Sequence, residues 1–256
     1  MSRNVVILFT LAIVLAIPAS ATVVLYTQNF EGGAIPGQFS GGTLLNTAGV
    51  PSNIGDGNWA LYNDSGGTPW GTAGSPIQLQ LSGLEANSSA SIQFTFLAID
   101  SWDGTDFGQY ATDLFNVQAN ANLVFQASFR NYLETHYTGD GSPDYGSTTP
   151  PNSTITLLAS GQNYLVTDHF TDSFYDIHLD GLRADAQGNL NINFFASGSG
   201  WQGGGDESFA IDNVVVSGVP DPPGINPTGG DETPEPGTWL TFSAGFAGLL
   251  LIRRRK

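Results

Sequence analysis

Apolar and polar residues alternate in short runs along the middle of the chain. Ile77, Leu79 and Leu81 alternate with Gln78, Gln80 and Ser82. Ile92, Phe94 and Phe96 alternate with Gln93 and Thr95. Period-two patterning of this kind predicts strands with one face buried. Residues 23–30, 114–117, 123–129, 154–159, 174–179, 190–195 and 211–216 read as further strands, with Ala119-Asn120-Ala121-Asn122 as the turn of a hairpin. No stretch carries the period of a normal helix, and no repeat of fixed length is present. Roughly nine or ten strands with turn-rich links predict an all-β fold, an antiparallel β-sandwich of jelly-roll type.

Composition supports that reading. The chain has 33 Gly and 14 Pro but one Met, which suits many short strands joined by turns. The segment 134–153 is a long insertion loop, and such loops on sandwiches often bind ligands. There is no Cys, so disulfides, thiolate metal sites and Cys nucleophiles are excluded. Metal ions are then the expected extra reinforcement. Acidic residues number 23 against 7 basic ones. Five of the basics, Arg3, Arg253, Arg254, Arg255 and Lys256, sit near the termini, which leaves Arg130 and Arg183 for the body. So acidic a surface repels phosphate backbones, predicting no nucleic-acid partner, and it suits divalent cations and neutral ligands.

The two ends differ from the body. Arg3, an apolar run from Val5 to Ile17 and Ala19-Ser20-Ala21 predict a signal peptide over 1–21, handled by the Sec translocon. The sandwich domain is expected over 22–219. Residues 220–232 form a Pro/Gly-rich linker, extended and without apolar periodicity. Residues 233–256 begin with Pro234-Glu235-Pro236, continue as a short apolar helix and close on Arg253, Arg254, Arg255 and Lys256. The apolar stretch is just below the usual length of a transmembrane helix, and the basic stop would hold the C-terminus in the cytoplasm.

This three-part tail resembles the PEP-CTERM sorting signal. The resemblance implies an exosortase substrate that is transiently anchored in the inner membrane of a Gram-negative bacterium. The enzyme would remove the tail and pass the body to the cell surface or to an exopolysaccharide matrix. In the body, Asn29-Phe30-Glu31-Gly32, Gly57-Asn58-Trp59-Ala60-Leu61 and Phe209-Ala210-Ile211-Asp212-Asn213-Val214-Val215-Val216 resemble the jelly-roll of galactose-binding-like and carbohydrate-binding modules.

That second resemblance implies a structural Ca²⁺ held by Glu31 and Asp212, with backbone carbonyls completing the shell. Asp100, Asp103 and Asp106, with Asp113 further on, form the densest acidic cluster. They are candidates for a second Ca²⁺ site, and an acidic turn between strands is the plainer reading of the same residues. Trp70, Trp201 and Tyr145 lie in predicted loops, where a ring face could stack on a sugar; packing in the core is the competing role. Enzyme signatures are lacking: the three His form no HExxH, and there is no Gly-x-Ser-x-Gly elbow. Asp176 and His178 share a strand face. The sequence thus predicts an exported, non-catalytic surface or matrix protein that binds polysaccharide or Ca²⁺. A purely structural envelope protein and a polysaccharide-active hydrolase or lyase are the alternatives.

Overall fold

The computed structural model describes residues 22–50, 57–66, 73–104, 112–131, 143–144, 152–162, 164–165, 171–204 and 206–219. The predicted signal and C-terminal helices therefore lie outside the described residues, as does nearly all of the 134–153 segment. The chain divides into two units, 1–220 and 221–256, and all the described residues belong to the first.

Among the described residues the secondary structure is entirely β. In chain order the strands are β1 (Val23–Gln28), β2 (Phe39–Ser40), β3 (Thr43–Asn46), β4 (Trp59–Asn63), β5 (Ile77–Leu81), β6 (Ser89–Asp100), β7 (Leu114–Ala119), β8 (Asn122–Phe129), β9 (Pro143–Asp144), β10 (Ser153–Gln162), β11 (Asp172–Arg183), β12 (Leu190–Ser197) and β13 (Glu207–Val219). No helix among these residues is long and apolar enough to cross a membrane. One sheet runs β10-β11-β6-β13-β4-β3, and β1 also pairs with β13. The other runs β2-β5-β12-β7-β8-β9. The pairings are antiparallel.

The alternation read from the sequence is what closes the sandwich. On β5, Ile77 and Leu79 are fully buried while Gln80 faces solvent. Across the sheets, Phe94 of β6 meets Phe194 of β12 at 5.2 Å between ring centroids. Phe96 of β6 stacks on Phe115 of β7 at 4.1 Å and packs on Phe129 of β8 at 4.6 Å. Aromatic pairs in offset or edge geometry add to the burial of large apolar area, so this cluster anchors one sheet on the other.

The first sheet is also covered on its outer face. Leu97 and Ile99 cluster with Phe174, Ala60 and Ala210 of the neighbouring strands, and Val50, Tyr164 and Leu165 from outside the sheet pack against that cluster. This explains why β6 is buried without interruption from Phe94 to Asp100, where alternation alone would leave every second residue exposed.

Local turn chemistry fixes the registers. Asn120 and Ala121 both take positive φ, 47° and 67°, between β7 and β8. Left-handed values at both central residues match the right-handed twist of a two-residue hairpin. The long strand β13 divides one edge between two partners: Phe209 to Ile211 pair with β4, and Val214 to Gly218 pair with β1. The exchange falls at Asp212 and Asn213, where the register with β6 shifts and Asn213 has φ 50°.

Candidate functional site

Strand β6 ends at Asp100 and is followed by Ser101-Trp102-Asp103-Gly104. The chain returns at Thr112-Asp113 to begin β7. The end of the molecule where these segments meet also carries the start of β13, because Glu207 pairs with Asp100. Three parts of the chain that are distant in sequence thus place carboxylates side by side. Asp103, Asp113 and Glu207 each offer an oxygen, and the three oxygens lie within 4.8 Å of one another. All are buried: the exposures are 8% for Asp103, 0% for Asp113 and 1% for Glu207.

Backbone donors orient this group. The Asp103 N–H donates to Asp113 Oδ2 at 2.7 Å, and the Asp113 N–H donates to the Asp103 carbonyl at 3.1 Å. Glu207 Oε2 accepts the N–H groups of Gln202 at 2.7 Å and Gly203 at 3.2 Å. Gly203 sits at φ 69°, and a Cβ there would lie 2.3 Å from the Gly66 Cα, so the turn that caps Glu207 needs glycine. Below the acids, Trp102 donates from its indole N–H to the Ser208 carbonyl at 2.7 Å and packs against Trp201 at 5.3 Å.

Some oxygens have no such donor. Asp103 Oδ1 and Asp113 Oδ1 are buried and accept no hydrogen bond among the described residues. Burial and the Asp206 charge push the Asp103 carboxyl up to about 7. Burial first, then the negative charges of Glu207, Asp103 and Asp206, raises Asp113 against the lowering effect of its backbone hydrogen bond. Burial also raises Glu207, although two N–H groups favour its anion. Each pair of like charges so close repels by on the order of 3–4 kcal/mol at an effective dielectric of about 20. Three free carboxylates are therefore not sustainable in this position; protons or a cation must neutralise them. The donor set is all oxygen, which suits a hard cation.

The other residues singled out in the sequence fall elsewhere. Asp100 is buried at the end of β6 with φ 67°, and its N–H donates to Asp172 Oδ1 at 3.3 Å. Asp106 lies outside the described residues. Of the three acids expected together, the structure thus brings Asp103 into the cluster, joined by Asp113 and Glu207. Nothing in sequence spacing connects Glu207 to positions 103 and 113, so only the register of β13 on β6 reveals it. Glu31 clamps a loop: Oε1 accepts the Asn58 N–H at 2.8 Å and the Trp59 N–H at 3.2 Å. Asp212 sits at the bulge of β13, where it accepts the Asn213 N–H at 2.7 Å.

Of the two roles open to Trp201, a stacking face for sugar or packing in the core, the structure gives the second: Trp201 is fully buried and donates to the Ser65 carbonyl at 3.2 Å. Its ring belongs to the core, because the 198–204 segment folds inward over Trp102. Trp70 and Tyr145 lie outside the described residues, as do Pro234, Glu235, Pro236, Arg253, Arg254, Arg255 and Lys256. Asp176 and His178 are not partners: Asp176 accepts from Gln93 Nε2 at 3.0 Å, and His178 pairs with Asp180 at 3.1 Å on the surface.

Comparison with known proteins decides the tail. Residues 232–256 match the PEP-CTERM protein-sorting motif. A PEP-CTERM segment marks an exported protein that is processed at the membrane by an exosortase. No curated protein sequence matches the chain. Among solved structures, the CBM22-1 xylan-binding domain of Paenibacillus barcinonensis Xyn10C is similar at 12% identity and a TM-score of 0.34. That similarity covers 78% of this chain and 97% of the domain. The K3 cleaved adhesin domain of Lys-gingipain from Porphyromonas gingivalis w83 is similar at 11% identity and a TM-score of 0.38, covering 76% of this chain and 99% of the other.

Proposed function

We propose that this is a non-catalytic surface or matrix protein of a Gram-negative bacterium. Its PEP-CTERM tail holds it in the inner membrane until an exosortase releases the body, a sandwich of jelly-roll type. The body binds polysaccharide and is reinforced by Ca²⁺. The observation that carries the reading is the sorting motif over 232–256 on a chain whose described part is a separate all-β unit. The acidic, Cys-free composition supports a neutral ligand and cation reinforcement over a phosphate-bearing partner.

The test is fractionation of cells that express the full chain, with and without an active exosortase. The expected result is a shortened product at the surface or in the matrix when the enzyme is present, and a full-length membrane form when it is absent. Full-length protein in the cytoplasm of both strains would sink the proposal. Retention on the host's own exopolysaccharide tests the ligand. Loss of retention in Trp70→Ala or Tyr145→Ala would support binding, whereas no retention of the intact protein would favour a purely structural role. Release of reducing sugar that is lost in Asp103→Asn would instead favour the hydrolase or lyase.

A further inference from the structure

We infer that Asp103, Asp113 and Glu207 form a buried Ca²⁺ site that ties the β6–β7 connection to the first residue of β13. Two independent observations meet here. The first is convergence: three carboxylates from three chain segments present oxygens within a 4.8 Å span. Oxygens on opposite sides of one Ca²⁺ are about 4.6–5.2 Å apart, twice the Ca–O distance, so all three can reach a single ion. The second is the state of the individual oxygens. Asp113 Oδ2 is held by the Asp103 N–H, and Glu207 Oε2 by the Gln202 and Gly203 N–H groups. Asp103 Oδ1 and Asp113 Oδ1, equally buried, accept nothing among the described residues. Asp113, clamped through Oδ2 with Oδ1 left bare in the interior, is oriented to present that second oxygen to a cation, and the bare Asp103 Oδ1 is the second such acceptor; Glu207 is held through both oxygens, Oε1 accepting from Gln202 Nε2 at 3.4 Å.

The chemistry selects the ion. With neither Cys nor His in the group, the site favours a hard cation over zinc or copper. Mg²⁺ demands a tighter octahedron at about 2.0–2.1 Å and gives up its water reluctantly, so a buried group of three carboxylates favours Ca²⁺. The consequence is structural. In a chain without disulfides, one ion would join residues 103, 113 and 207 and close long loops, as a covalent staple would. These ligands are distinct from Glu31 and Asp212. The inference names the ion site of the proposed exported domain. It rests on export only in that the ion must be available where the domain works, and the readout below does not depend on the fractionation result.

The experiment uses the purified full-length protein stripped with chelator. Tb³⁺ is added with excitation of tryptophan, since Trp102 adjoins Asp103 in the chain and packs on Trp201. Sensitised Tb³⁺ emission that Ca²⁺ displaces, and that Mg²⁺ at equal concentration does not, is expected. A Ca²⁺ excess of about 100-fold over Kd should raise the unfolding midpoint by about 5–10 °C. Asp113→Asn and Glu207→Gln should each lose both signals, and Glu31→Gln should keep them. Absence of emission and of a midpoint shift in the unaltered protein would overturn the inference. So would both signals persisting in Asp113→Asn or Glu207→Gln, which would place the ion elsewhere, and equal displacement by Mg²⁺ would overturn the assignment to Ca²⁺. If one variant fails to fold, the other variant and the Tb³⁺ competition in the unaltered protein still decide.

Discussion

Asp103 and Asp113 hold each other through their backbones: the Asp103 N–H donates to the Asp113 carboxylate at 2.7 Å, and the Asp113 N–H donates to the Asp103 carbonyl at 3.1 Å. The pair closes the connection between β6 and β7 at its neck. Replacing Asp113 with Ala removes an acceptor from a buried N–H. An unmet buried donor costs about 1–3 kcal/mol. Denaturant unfolding in chelator should show a loss of that size, and Asp113→Asn, which keeps a side-chain oxygen, should lose less. Equal losses in the two variants would mean that the hydrogen bond does not matter.

Buried acids also set a pH dependence for the cation-free protein. The Asp103 carboxyl stands near 7 in the folded chain against an ordinary value of 3.8, and Asp113 and Glu207 are raised in the same direction, with Asp206 adding negative charge beside them. The folded state then holds protons that the unfolded state releases, so stability falls as pH rises. The contribution is fully present below about 4 and is lost as pH climbs to 7 and beyond. In chelator, the midpoint of thermal unfolding should be higher at pH 5 than at pH 8. A midpoint that rises between those values would contradict the burial of these groups as free acids.

Phe96 is the aromatic through which the two sheets meet. Its ring lies 4.1 Å from Phe115, 4.6 Å from Phe129 and 5.7 Å from Trp102. Phe96→Ala should destabilise by about 3–5 kcal/mol, the cost of a large cavity in a packed core. Phe96→Leu should cost clearly less. Urea unfolding midpoints of the two variants check the order.

Trp201 gives a prediction that separates packing from ligand contact. Because its ring is fully buried against Trp102, Trp201→Ala should lower stability by about 3–5 kcal/mol. Any loss of polysaccharide retention in this variant should follow its unfolding curve. A variant with an unchanged midpoint but no retention would put Trp201 at the ligand surface after all.

Gly203 tests the turn that caps Glu207. Gly203→Ala must place a Cβ 2.3 Å from the Gly66 Cα at φ 69°, so the turn has to move. The expected loss exceeds about 1 kcal/mol. At Gly83, also at positive φ (76°), an added Cβ meets nothing within 4 Å, so Gly83→Ala should lose only the backbone term. Similar midpoints for the two variants would show that the close approach to Gly66 is not felt.

Local patterning was enough to determine much of this protein. The alternations at Ile77 to Leu81 and Ile92 to Phe96, the hairpin at Asn120-Ala121 and the all-β character follow from side-chain period and turn chemistry, which act between near neighbours. The sorting tail is likewise legible, because its signal is a contiguous string of residues. The short strands β2, β3 and β9 carry too few residues to show a period. The burial of both faces of β6 depends on which segments cover it. The inward fold of Trp201 and the approach of Glu207 to Asp103 and Asp113 were decided only by tertiary structure. A loop sequence does not say which way it folds, and carboxylates separated by about a hundred residues share a site only when strand register brings them together. Those are long-range facts: the pairing of β13 on β6 places Glu207, and contacts with Ser65 and Trp102 hold Trp201 inward.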